Sequence, residues 1–197
     1  MNERFLRQLR FLEEADKMKN ILRMTLVSDG SRRENDAEHS WHLALSAMIL
    51  YEYAANKEQV DLLRVMKMAI VHDLIEIYAG DTFAYDVAGN ETKLLREQEA
   101  ADKLFALLPP DQGAELRQLW EEFDLMETPD AQFAAALDRI QAFLCNRLTD
   151  WHTWRLAKVS GKQIYDRMDM VRVGTPELWE FVEENIRQAI ADGIIGQ

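Results

Sequence analysis

Apolar residues recur along this chain at three- and four-residue spacings almost from end to end, the period of an α-helix. Phe5, Leu6, Leu9, Leu12, Met18, Ile21 and Leu22 keep that spacing, which predicts one helix or a pair of short ones over the first two dozen residues. Residues 27–33, with Ser28-Asp29-Gly30-Ser31, read as a turn or loop. Asn35 or Asp36 then caps the next helix. Glu38 stands at capping-box spacing from Asn35, and Trp41, Leu45, Met48, Ile49 and Tyr53 carry the helical period onward. Residues 60–78 are apolar on nearly all sides, which predicts a central helix surrounded by others, with Gly80 as its C-terminal cap.

Beyond that helix, 81–91 is the longest irregular stretch and reads equally as a lid or a plain surface loop. Helices are predicted over 92–108, closed by Pro109-Pro110, and over 112–123. Another spans 129–154, with Phe133, Leu137, Ile140, Leu144, Leu148 and Trp151 on one stripe. Two more cover 161–170 and 176–192, the last opened by Thr175-Pro176. The chain has 197 residues, only four prolines and eight glycines, and no internal repeat or linker. These features predict an all-α fold, a single compact helical domain over residues 1–197.

Charge narrows the function classes. A net charge of -12 excludes a general nucleic-acid binder, which needs a basic surface to replace phosphate counterions. A small anionic substrate remains compatible if a few arginines are concentrated locally. The lone Cys145, within Phe143-Leu144-Cys145, reads as a small buried hydrophobe. Met1 is followed by charged residues and no run approaches membrane-spanning length, so a cytoplasmic protein is expected.

The chemistry begins with His72-Asp73, set among Met68, Ala69, Ile70, Val71, Leu74, Ile75 and Ile77. Burying such groups without partners is costly, and a cation is one such partner. On a continuous helix Glu76, four residues after His72, shares its face, with Asp73 about 100° round. His39 falls in the first turn of its helix, where the dipole favours the neutral imidazole that a metal requires. Asp138 sits within Ala134-Ala135-Ala136-Leu137-Asp138-Arg139-Ile140, either as an isolated carboxylate or as the ion-pair partner of an arginine.

Taken together, His39, His72-Asp73 and Asp138, in that order, resemble the ligand set of the HD-domain metal-dependent phosphohydrolases. Three further segments resemble the branch holding the bacterial 5'-deoxynucleotidases and human HD-domain-containing protein 2. They are Arg32-Arg33-Glu34-Asn35-Asp36-Ala37-Glu38-His39-Ser40-Trp41, Val71-His72-Asp73-Leu74-Ile75-Glu76 with Gly80-Asp81, and Leu119-Trp120-Glu121-Glu122-Phe123.

The resemblance implies an HD domain with a mononuclear site between its central helices. One divalent transition-metal ion (Mn, Co, Fe or Zn) would be held by His39, His72, Asp73 and Asp138. It also implies Glu76 and Asp81 as catalytic carboxyls and Arg23, Arg32 and Arg33 as substrate-binding residues, with Met24-Thr25 departing from the branch pattern after the first arginine. His42 has no role in that pattern. The implied activity is a 5'-nucleotidase releasing phosphate from (deoxy)nucleoside 5'-monophosphates. A polyphosphate or alarmone pyrophosphohydrolase and a nucleotide-sensing, non-catalytic module are the alternatives. The expected partners are a nucleotide and a second copy of the chain, with Trp151, Trp154 and Trp179 as candidates for the partner surface, although core packing is the commoner fate of such tryptophans. No nucleic-acid polymer and no membrane are expected.

Overall fold

In the structure, a computed structural model describing residues 2–196, Asn2 caps the first helix, α1 (Glu3–Ala15), by accepting from the Arg4 N–H at 2.9 Å. The helical period continues to Leu22, but the helix does not. Asp16–Asn20 tighten into a 3₁₀ turn and Ile21 becomes extended. Leu22–Leu26 is then strand β1, paired antiparallel with β2 (Arg33–Asn35). The pairing joins Leu22 to Asn35 and Leu26 to Arg33, with an irregularity between them. A partner several residues away in sequence overrides the local helical spacing. The loop predicted at 27–33 is the connection between these strands, except that Arg33 already belongs to β2.

Asn35 caps α2 (Asp36–Leu50) through a complete capping box, its side chain accepting from the Glu38 N–H while Glu38 accepts from the Asn35 N–H. The inward face of α2 is His39, Ser40, Leu43, Ala44 and Ala47, whereas Trp41, Leu45, Met48 and Ile49 face outward. The predicted central helix is broken in two. α3 (Leu62–Val71) is capped by Asp61, and α4 (Glu76–Ala79) ends at Gly80, whose φ of 76° a side chain would strain. Between them, Leu74 N–H donates to Val71 O and Glu76 N–H to Asp73 O, three-residue closures that tighten the chain at the His72-Asp73 doublet.

The loop after Gly80 leads into α5 (Val87–Glu91), α6 (Lys93–Phe105) and α7 (Pro110–Leu125), with Pro110 in the first turn of α7. α8 (Pro129–Leu148) is almost wholly buried and packs on α2, α3, α7 and β1. The helix predicted over 129–154 also stops early, because Asp150 and Trp151 adopt positive φ before α9 (His152–Leu156). That break turns Trp151 and Trp154 inward to stack on each other, 5.2 Å between ring centroids, beside Phe143. Neither is a surface residue. α10 (Gly161–Gly174) lies along α8, and α11 (Trp179–Ala191) closes the chain after a 3₁₀ turn. Trp179 packs at the end of α10, against Tyr165 and the Arg172 guanidinium.

Close approach of α8 and α10 depends on small residues. A Cβ built on Gly174 would meet Gln132 O at 2.3 Å and Ala136 Cβ at 2.6 Å. Interiors packed at crystal-like density do not absorb such an overlap without displacement. Gly174→Ala is expected to lower unfolding stability by about 1–3 kcal/mol. Urea denaturation measures this, and a wild-type midpoint would show that the two helices separate freely.

Candidate metal centre

Four elements deliver the site. α2 brings His39 and Asp36, the turn between α3 and α4 brings His72 and Asp73, α4 brings Glu76, and α8 brings Asp138. His39, His72 and Asp138 present ligand atoms within 4.8 Å of one another, as do Asp36, Asp73 and Glu76. Asp73 links the two groups, its Oδ2 lying 3.1 Å from His72 Nε2 and 3.7 Å from His39 Nε2. Asp138 Oδ1 is 3.0 Å from His39 Nε2. Both Nε2 atoms are buried and lack a partner in hydrogen-bond geometry.

The tight turn changes the face on which Glu76 acts. In a 3₁₀ turn, side chains at i and i+3 eclipse. Glu76 therefore aligns with Asp73, not with His72 as a continuous helix would place it. His72 Nδ1 lies 3.0 Å from Ala69 O, which orients the ring with Nε2 toward the cluster.

Negative charge is in excess here. Arg23, from β1, reaches Asp73 Oδ2 at 2.7 Å, Asp36 Oδ1 at 3.5 Å and Glu34 Oε2 at 3.9 Å. Burial disfavours its guanidinium charge, but Asp73 and the other carboxylates outweigh this and raise its pKa. Burial also acts to raise Asp73 and Asp138. His72 and Arg23 outweigh it at Asp73, as the close His39 imidazole does at Asp138, and both carboxyls are held low. Asp36 is instead pushed up to about 7 by burial and by Asp73. Glu76 rises well above the usual carboxylate range through burial and the charges of Asp73, Asp36 and Asp81. Burial raises Asp81 too. Two unpartnered imidazole nitrogens among carboxylates match the donor chemistry of a divalent first-row metal site.

A cavity of about 200 Å³ opens beside the cluster, lined on its acidic side by Asp73, Glu76, Asp81 and Asp138. Phe83, Tyr85, Phe123 and Trp154 line it elsewhere. Of the three arginines singled out from sequence, Arg23 lines this cavity. Arg33 lies in an adjoining groove with Asp81 and donates to the carbonyls of Arg23 and Leu22. Arg32 is directed away to the surface, where Glu38 holds its guanidinium with two contacts of 2.7 and 2.8 Å. Arg139 and Arg167 line the cavity instead, 3.5 and 3.7 Å from Asp138 Oδ2. The sequence did signal Arg139, as an ion-pair partner for Asp138. Asp36 was legible only as a cap. Nothing marked Gln141 or Glu34, which are buried behind His39.

A helical domain closed around a buried His/Asp cluster is the class that this fold and site define. The HD domain family profile matches residues 15–179, and the chain belongs to that family. It is 32% identical over 137 residues to human 5'-deoxynucleotidase HDDC2, covering 69% of this chain and 65% of the relative. The mouse protein of the same name matches at the same identity, with 66% covered. The chain thus spans somewhat under two thirds of these relatives' length. The crystal structure of a predicted metal-dependent phosphohydrolase from Magnetospirillum magnetotacticum superposes with a TM-score of 0.93 at 44% identity, covering 98% of this chain and 96% of that one.

The family and the His/Asp site together indicate a divalent metal. Free Co²⁺ or Mn²⁺ at a hundred times its Kd is expected to raise the melting temperature by about 5–10 °C, the equivalent of about 2.7 kcal/mol. His39→Ala and His72→Ala should each lose most of that shift in thermal unfolding with and without the ion.

Proposed function

We propose that this chain is a metal-dependent phosphohydrolase, a 5'-nucleotidase that releases phosphate from (deoxy)nucleoside 5'-monophosphates. The observation that carries the reading is the convergence of His39, His72, Asp73 and Asp138, with both Nε2 atoms unpartnered, beside a cavity that His72, Asp73 and Asp138 line together with Arg23. The names of the HDDC2 relatives and of the Magnetospirillum phosphohydrolase support the same class. In this proposal those four residues hold one divalent ion. When bound, it supplies Lewis acidity toward a phosphoryl oxygen and lowers the pKa of the attacking water.

The remaining steps belong to the chain's own residues. Arg23, anchored on Asp73 and lining the cavity, offers a second donor edge to a phosphate. Arg139 and Arg167 add positive charge on the side of Asp138. Arg33, in the groove next to Asp81, and Arg32, once released from Glu38, stand farther out for the same task. Glu76, buried and pushed toward its protonated form, exchanges a proton with the water or orients it. Asp81, at the junction of cavity and groove, serves the leaving 5'-oxygen. The aromatic wall of Phe83, Tyr85 and Trp154 excludes water and stacks the nucleoside.

The proposal extends to the whole chain as one HD domain, to a cytoplasmic location and to assembly as a homodimer. The uncovered apolar stripe of Trp41, Leu45, Met48 and Ile49 on α2 supports the last.

With Mn²⁺ or Co²⁺ present, a panel of nucleoside and deoxynucleoside 5'-monophosphates should yield orthophosphate in a colorimetric assay. Glu76→Gln is expected to lower kcat by about 10²–10⁴ while keeping the cation-induced thermal shift. No release from any monophosphate by protein with metal bound would sink the reading, and pyrophosphate from a polyphosphate would move it to the alternative hydrolase.

A further inference from the structure

His39 has a second ring nitrogen, and what lies behind it determines what the first can do. Its Nδ1 is 2.8 Å from Oε1 of Gln141, a fully buried residue of α8. The Nε2 of Gln141 donates to Glu34 Oε1 at 2.7 Å and lies 3.2 Å from His42 Nδ1. Glu34 is itself buried on β2. Its other oxygen, Oε2, accepts from the Thr25 hydroxyl at 3.2 Å and faces the Arg23 guanidinium.

The roles in this chain of contacts follow from donor and acceptor chemistry alone. A carboxylate only accepts, and Thr25 donates to Glu34 while the Arg23 guanidinium faces it as an ion-pair partner, so Gln141 must present its amide nitrogen to it. That fixes the direction of the amide, and its carbonyl oxygen then faces His39. A carbonyl oxygen accepts, so His39 Nδ1 must carry a hydrogen. The lone pair of the neutral ring is therefore on Nε2, which faces Asp138 and Asp73 and has no hydrogen-bond partner of its own. A lone pair directed among carboxylates is unfavourable unless a cation, either a proton or a metal ion, lies between them.

We propose that Glu34 and Gln141 form a positioning relay that locks His39 in its Nδ1–H form and so presents Nε2 to a divalent cation. This rests on the reading of His39 as a ligand. His42 Nδ1 and Cys145 Sγ, 3.2 and 3.4 Å from Gln141 Nε2, are the acceptors within reach of its second N–H. The relay also ties the hairpin to the metal site, since Glu34 comes from β2, Gln141 from α8 and His39 from α2.

The test measures Co²⁺ affinity by calorimetric titration of the full-length protein, not turnover. Gln141→Leu keeps the volume but removes the acceptor, and is expected to weaken Co²⁺ binding about 10–100-fold. Gln141→Glu sets two carboxylates against each other and should also bind weakly. Combining it with Glu34→Gln restores the pattern with the groups exchanged, and binding should return to within about threefold of wild type by the same acceptor logic.

Wild-type affinity in Gln141→Leu, or an exchanged pair as weak as the single variants, would overturn the relay. Should Gln141→Leu fail to fold, the ¹⁵N spectrum of the Zn²⁺-loaded wild type decides. Hydrogen on Nδ1 with Nε2 on the metal supports the relay, and the reverse overturns it. A His39→Ala protein that keeps full Co²⁺ affinity would instead overturn the ligand reading beneath it.

Discussion

Too many acidic groups share one buried place, and that constraint organises the rest of the molecule. Asp36, Asp73, Glu76, Asp81 and Asp138 crowd a site whose nearest fixed positive charge is Arg23. Ionising all of them together in a low-dielectric interior is prohibitive, so protons and charges redistribute. Asp73 and Asp138 stay ionised because imidazoles and a guanidinium lie against them, while Glu76 and Asp36 are pushed toward their neutral forms. The pattern separates carboxylates suited to holding a cation from carboxyls suited to moving a proton.

Two local departures from regular structure make that separation geometric. The closures at residues 71–77 rotate Glu76 away from His72 and onto Asp73, so acid and imidazole face different parts of the cluster. The hairpin brings a guanidinium and a carboxylate into the domain on adjacent strands. Arg23 meets Asp73 from one strand, and Glu34 meets Gln141 from the other. A helix in the same place would need a full turn between two inward residues.

What the sequence made legible and what it hid differ for physical reasons. His72-Asp73 and Asp138 stood out because their polarity contradicts the apolar residues around them, and the structure brings both together with His39. Most helices and the Asn35–Glu38 cap were readable because period and capping chemistry are local. The strand at 22–26 was not, since its partner is at 33–35 and Ile21 and Leu22 happen to continue a helical spacing. The breaks at residues 72–75 and at Asp150-Trp151 were hidden because no glycine or proline marks them, and the second break sets Trp151 and Trp154 in the core, the commoner of the two fates open to them. Arg32 matched a motif but found Glu38 first, a competition that spacing does not reveal. Gln141 is neutral, so its burial left no contradiction to notice.

The hairpin's small size has a consequence for how the site comes into being. A two-stranded ribbon is marginal by itself in water, and the turn between these strands, around Asp29 and Gly30, is exposed. Its docked position therefore depends on contacts with the helical body, among them those of Arg23 and Glu34 and the Thr153 hydroxyl that donates to Met24 O. Folding of the ribbon and assembly of the cluster become one cooperative event, so the least self-sufficient segment of the chain reports whether its most highly charged interior is correctly built. Amide exchange along β1 and β2 would then track the state of the cluster, although neither strand contributes one of the four proposed ligands.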